Sequence, residues 1–375
     1  MRIAVDTRFL QQEDLGAHKG FSGEVFASLA EKHPEEQFFF LLDRRVNGSL
    51  KLPPNVSLII ITPGATGFLR QRWWFDIKVP SALKNCKADV FVCPNSACSL
   101  TTSVPQVLII QELLVPAASK SFSKLFTYFH YEFLSRLLRK AKKVATLSTF
   151  VKKRLADKYK IAAEKIEVIS SAGNSLCTAL DWQEREQMKE LYAAGCEYFV
   201  FPVAPYNRKS MVGVLKAFSI FKKWQKTNMK LVIVGAVPAG VKEEGENLNN
   251  YKYRTEINIT GTVSADESAK VVAGAYAIVY PSHHEQFPAA VVDAMECNVP
   301  VITSRTGSIP EIAEEAALYV STENPHEMAE QMKRIFKDEQ LRNKLIQEGK
   351  QRASLFNWDK TVDLLWNTIR QAVSK

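Results

Sequence analysis

The chain lacks any apolar run approaching the roughly 18 uninterrupted residues that a membrane-spanning helix needs. Its opening run, Ile3-Ala4-Val5, meets Asp6 at once, which is shorter than the apolar core of a signal peptide. Cysteine is sparse and unpatterned. Cys86, Cys93, Cys98, Cys177, Cys196 and Cys297 include no CxxC pair, so reduced thiols in a cytoplasmic setting are expected rather than a disulfide framework. Histidine is equally scarce. Of six, only those in His283-His284-Glu285 are clustered, and no HExxH accompanies them, so no metal site is expected. No GxGxxG follows the first strand, which disfavours a dinucleotide cofactor, and neither a Walker A loop nor a GxSxG elbow occurs. No cofactor is expected.

What the chain does have is length and positive charge. Its 375 residues suffice for two ordinary domains, and 46% hydrophobic with 24% charged residues is a globular balance. Its 49 basic against 40 acidic side chains leave a net charge of +9. That excess suits an anionic partner such as a nucleotide diphosphate or an acidic lipid surface. Nucleic acid is not expected, because no dense basic stripe or recognisable module is present.

Short apolar runs alternate with helical patterns, the mark of α/β architecture with parallel sheets covered on both faces. Strands are predicted at Ile3–Val5, Phe38–Leu42, Ser57–Ile61, Val90–Cys93, Gln106–Ile110, Val144–Leu147 and Glu167–Ser170. A second series follows at Tyr198–Val203, Lys230–Val234, Ile257–Thr260, Ala277–Tyr280, Val299–Thr303 and Leu318–Val320. Between the series, 174–195 is polar and helix-favouring and reads as a linker. Two parallel-sheet units then place a ligand crevice outside their strand carboxyl ends.

Two strand-to-helix turns of the second series carry chemistry. One is Asn207-Arg208-Lys209-Ser210, where two cations beside free helix-start amides suit a diphosphate. The other runs from Tyr280 through Glu285 to a helix opening near Pro288, a residue suited to a first helical position. Glu285 and Asp293 could flank a polyhydroxyl ligand; the alternative is a helix cap and a solvated side chain. Elsewhere, Phe68–Phe75 and Lys120–Lys143 interleave aromatic and basic residues. They suit either an anionic membrane surface or a buried helix face with solvated charges.

These segments resemble the group 1 glycosyltransferases, glycosyltransferase family 4. Met1–Arg8, Ala145–Phe150 with Lys165–Ile169, Tyr198–Ser210, Ile259–Ser264, Thr303–Ala313 and Phe356–Thr361 are similar to six family segments in the family's order, and the loop from Glu285 to Asp293 stands where the family grips its donor. The resemblance implies a GT-B fold, two Rossmann-like domains facing each other across a cleft. Domains of 1–173 and 196–355 would be joined by the linker 174–195, with a closing helix over 356–375 on the first domain. It implies a retaining, metal-independent hexosyltransferase, and no DxD motif is present. The donor is a nucleoside-diphosphate sugar, with UDP or GDP as product, and the acceptor a glycan or lipid-linked. Contact with the inner face of the membrane is a further expectation.

By the same resemblance Glu285 contacts the sugar, Asp293 the ribose, and the amides of Gln286 and Phe287 the sugar and diphosphate. Arg208 and Lys209 neutralise the leaving β-phosphate. Pro288, Ala289 and Gly261 complete the donor set, while Gly16, His18 and Gln111 belong to the acceptor side or its loop. Several positions depart from the family pattern. Gln286 and Pro288 stand for glycines, Asp293 for glutamate and Gln111 for histidine. These departures motivate an alternative, a catalytically degenerate GT-B protein acting as a binding or partner subunit.

Overall fold

The structure, a computed structural model, describes residues 1–11, 20–45, 52–64, 67–111, 124–203, 208–224, 227–236 and 251–374. Two compact units divide the chain at Ser171 and Ala172, and the first regains the chain from Trp358 onward. All thirteen predicted strands form. No helix among the described residues is long and apolar enough to cross a membrane.

The first unit is a seven-stranded parallel sheet: β1 (Arg2–Asp6), β2 (Gln37–Leu42), β3 (Val56–Ile60), β4 (Val90–Cys93), β5 (Gln106–Ile110), β6 (Lys143–Thr146) and β7 (Ile166–Val168). Its order is β3-β2-β1-β4-β5-β6-β7. The interior strands β4 and β5 are buried along their whole length, which is why they read as unbroken apolar runs. The last helix, Trp358–Val373, closes this unit. Its Val362, Leu365 and Ile369 are fully buried. Trp366 stacks on His33 with ring centroids 3.7 Å apart, and Thr361 Oγ1 donates to the Ser170 carbonyl at 2.6 Å.

The aromatic-basic stretch after residue 67 is helical, from Phe68–Trp73 through a π-type turn at Trp74–Lys78 into Val79–Asn85. It divides between the two readings offered for it. Trp74 and Phe75 are buried beneath the Arg8 guanidinium, whereas Phe68, Leu69, Trp73 and Ile77 lie exposed.

The second unit holds six parallel strands: β8 (Tyr198–Pro202), β9 (Lys230–Val234), β10 (Ile257–Ile259), β11 (Ala277–Tyr280), β12 (Val301–Ser304) and β13 (Ala317–Val320). They lie in the order β10-β9-β8-β11-β12-β13. Alternation along β8 builds two cores. Tyr198 and Val200 face one cluster with helices Ala265–Ala273 and Ala289–Glu296. Phe199 and Phe201 face the other with helices Arg208–Trp224 and Pro325–Lys337. The stretch expected as a linker contains a helix, Trp182–Ala193, and lies within this unit. Its start is fixed by a capping box. Asp181 accepts from the Glu184 amide, and Glu184 accepts from the Asp181 amide.

Candidate active site

In the second sheet the strand order reverses between β8 and β11. The helix after β8 packs on one face and the helix after β11 on the other. The helices after these strands therefore leave on opposite faces at this switch point, the place where open α/β sheets bind ligands. Both chemistry-bearing turns of the second unit are these two connections, and one bond ties them together. Ser210, in the first turn of helix Arg208–Trp224, donates its hydroxyl to the Pro281 carbonyl at 2.8 Å. Arg208 and Lys209 open that helix.

The loop after β11 belongs to no ladder, so its carbonyls need other donors. A buried unpaired one costs roughly 1–3 kcal/mol. Hydroxyl side chains supply them. Thr303 Oγ1 donates to the Tyr280 carbonyl at 2.8 Å, and Ser304 Oγ and Thr306 Oγ1 both donate to that of Ser282 at 2.5 Å. The Glu285 carbonyl accepts from the Ser308 amide at 3.0 Å and its hydroxyl at 3.3 Å. Gly307, at φ 60°, closes against the same peptide. A side chain there would run into the Glu285 carbonyl oxygen and stand 2.8 Å from the Glu285 nitrogen.

The Glu285 carboxylate is held as well. Its Oε1 accepts from the Tyr280 hydroxyl at 2.7 Å. Burial, then the neighbouring Glu285 charge, push the Tyr280 hydroxyl well above its ordinary pKa, so it remains a protonated donor. Past Glu285 the helix begins at Ala289, and Pro288 is its cap, at φ −83° and ψ 73°, rather than its first helical residue. The Ala289 amide donates to the Phe287 carbonyl at 3.0 Å, and the Phe287 ring meets Phe356 edge-on at 5.8 Å.

Asp293 is neither a solvated residue nor a neighbour of Tyr280 in the hydrogen-bond network. It is buried, and its Oδ1 accepts from the Asn174 amide at 2.6 Å. Burial pushes its pKa up to about 7, with the Asn174 bond pulling the other way. Glu296, one helical turn on, is pushed up to about 8 by burial and by the Asp293 charge. Gly173 lies between them, where a Cβ would come within 2.7 Å of Glu296 Oε2 and 2.8 Å of Asp293 Oδ1.

The remaining expected residues are dispersed. Gly261, at φ 69°, follows β10 and bridges Gly235, three strands and about 14 Å from β11. Gln111 follows β5 in the first unit, where its Nε2 donates to the Pro94 carbonyl at 2.9 Å. Gly16 and His18 lie outside the described residues, as do the side chains of Arg208 and Lys209. Among the described residues no group of three or more His, Cys, Asp or Glu side chains could hold a metal ion.

Sequence models of two family halves match this arrangement. Residues 24–172 match "Glycosyltransferase Family 4" and residues 183–352 match "Glycosyl transferases group 1". The chain belongs to the group 1 glycosyltransferases. This family member is 32% identical over 110 residues to an uncharacterised glycosyltransferase of Methanocaldococcus jannaschii, covering 29% of this chain and 31% of the relative. It is 24% identical over 207 residues to the O-antigen chain mannosyltransferase RfbU of Salmonella typhimurium, covering 55% of this chain and 54% of RfbU. The chain thus spans between a third and a little over half of these curated relatives. Anabaena HepE, solved in complex with UDP and glucose, superposes with a TM-score of 0.73 at 15% identity, covering 98% of this chain and 99% of HepE. The fold of this group 1 member is GT-B.

Sequence reasoning placed Tyr280 and Ser210 in the two turns but gave them no role, and it missed Gly307, Ser308 and the Asn174 amide, which also hold the site. A cluster of Ser, Thr and Gly at 303–308 after a buried strand was the one visible signal.

Proposed function

We propose that this protein is a retaining, metal-independent hexosyltransferase, taking its sugar from a nucleoside-diphosphate donor and passing it to a glycan or lipid-linked acceptor at the cytoplasmic side of a membrane. The observation that carries the reading is the Ser210–Pro281 bond, which joins the Arg208-Lys209 turn to the Glu285 loop at the switch point. In the transfer the bond from the anomeric carbon to the β-phosphate oxygen breaks, and one to an acceptor hydroxyl forms as that hydroxyl loses its proton. Negative charge grows on the departing phosphate. Two cations at a helix start are suited to meet it, and the pinned Glu285 carboxylate is suited to accept from sugar hydroxyls. RfbU as a mannosyltransferase and HepE with UDP and glucose support hexose and nucleotide classes.

Glu285→Ala tests the assignment. With a panel of UDP- and GDP-hexoses and candidate glycan acceptors, transfer is expected to fall about 100-fold or more. Wild-type protein that neither binds nor turns over any nucleotide-sugar overturns the reading. Binding without transfer selects the second one, a donor-binding partner subunit. The Asp293 carboxylate favours that alternative, because one of its oxygens is already committed to Asn174.

A further inference from the structure

We propose that Tyr280 is a positioning residue of the donor site, its hydroxyl fixing the Glu285 carboxylate in one orientation for contact with the transferred sugar. The inference rests on reading Glu285 as the sugar contact, and adds what aims it. Tyr280 is the last residue of β11, and its ring is buried in the core cluster that also contains Val291 and Ile309. Only the ring's far end is polar, and from it the hydroxyl reaches Glu285 Oε1 at 2.7 Å. The phenol carries a single hydrogen, and the carboxylate receives it.

Geometry separates this pair from an ordinary buried phenol seeking a partner. The Glu285 main chain is already immobilised by the two Ser308 bonds and by the close approach of Gly307. With the main chain so held, the remaining orientation of the side chain, about three torsions, is set by what its carboxylate bonds, and the Tyr280 hydroxyl is one of those partners. A ring clamped in the core has almost no freedom of its own, so its hydroxyl orients the carboxylate at little entropic cost. Phenylalanine would fill the same core volume without burying a polar atom. The hydroxyl therefore acts on Glu285 and not on the packing.

The test uses the full chain and isothermal titration with two ligand pairs, UDP-glucose with UDP and GDP-mannose with GDP. Tyr280→Phe is expected to weaken the sugar-bearing ligand of the binding pair about tenfold and leave the bare nucleotide within about twofold. In a cycle with Glu285→Gln, the double variant is expected to lose no more than Glu285→Gln alone. Wild-type protein that binds none of the four ligands overturns the donor-site reading itself. Wild-type binding in which Tyr280→Phe weakens both members of a pair equally, or neither, overturns the positioning role alone.

Discussion

Asp293 occupies a place where charge is expensive, and its titration is the most direct handle on the site's energetics. The ordinary aspartate value of 3.8 is raised to about 7, chiefly by burial. Below about pH 4 the carboxyl is protonated whether the chain is folded or not, and burial adds no penalty. As pH rises from about 4 to 7, the unfolded chain ionises first and the folded state loses stability. Above about 7 the loss is complete. Glu296, raised to about 8, extends the same trend upward. Asparagine at 293 would keep an oxygen for the Asn174 amide and shed the ionisation. In urea unfolding, Asp293→Asn is expected to match the wild type near pH 4 and to exceed it by roughly 2–4 kcal/mol near pH 8. Stability curves that run parallel across this range would show that Asp293 is not held as described.

At the level of elements, the strand-to-helix connections carry the chemistry, and the turn 303–308 after β12 braces one of them. Gly307→Ala tests that brace. A methyl group at φ 60° against the Glu285 peptide is expected to cost about 1–3 kcal/mol. It should also weaken nucleotide-sugar binding, because the loop must shift to admit it. Unchanged binding by titration would show that the brace does not position Glu285. The strands were legible for a physical reason. Strands buried on both faces, such as β4 and β8, must be apolar throughout, and their connections fall between. The same logic placed Arg208, Lys209 and Glu285 at strand ends. Sequence could not disclose the cross-links, because Ser210 to Pro281 and Ser308 to Glu285 join residues 71 and 23 positions apart. Helical spacing likewise gives Asp293 no reason to be buried until the chain at 173–174 is laid over it. The π-type turn at Trp74–Lys78 escaped for a related reason, since the wide turn sets Trp74 and Phe75 inward while Trp73 and Ile77 stay outside.

For the whole molecule, the proposed membrane contact is a matter of surface. Phe68 (60% exposed), Leu69 (81%), Trp73 (40%) and Ile77 (58%) form an outward apolar strip on one helical segment. Arg70 is exposed beside it, and the Lys78 ammonium sits 4.9 Å from the Trp73 ring centre. Such a strip flanked by cations suits an anionic lipid interface. Co-sedimentation with vesicles containing phosphatidylglycerol is expected to retain the wild type and to drop several-fold for Leu69→Asp; equal retention would dismiss the strip as a docking surface. The closing helix Trp358–Val373 has another kind of consequence. Its buried Leu365 and Ile369 complete a core begun at Ile3, yet all of Ala172–Asn357 is translated between Ser171 and this helix. At ordinary elongation rates that interval lasts about 10–40 s. A nascent chain therefore waits on the ribosome with its first sheet uncapped, and the second unit can mature before the first is finished.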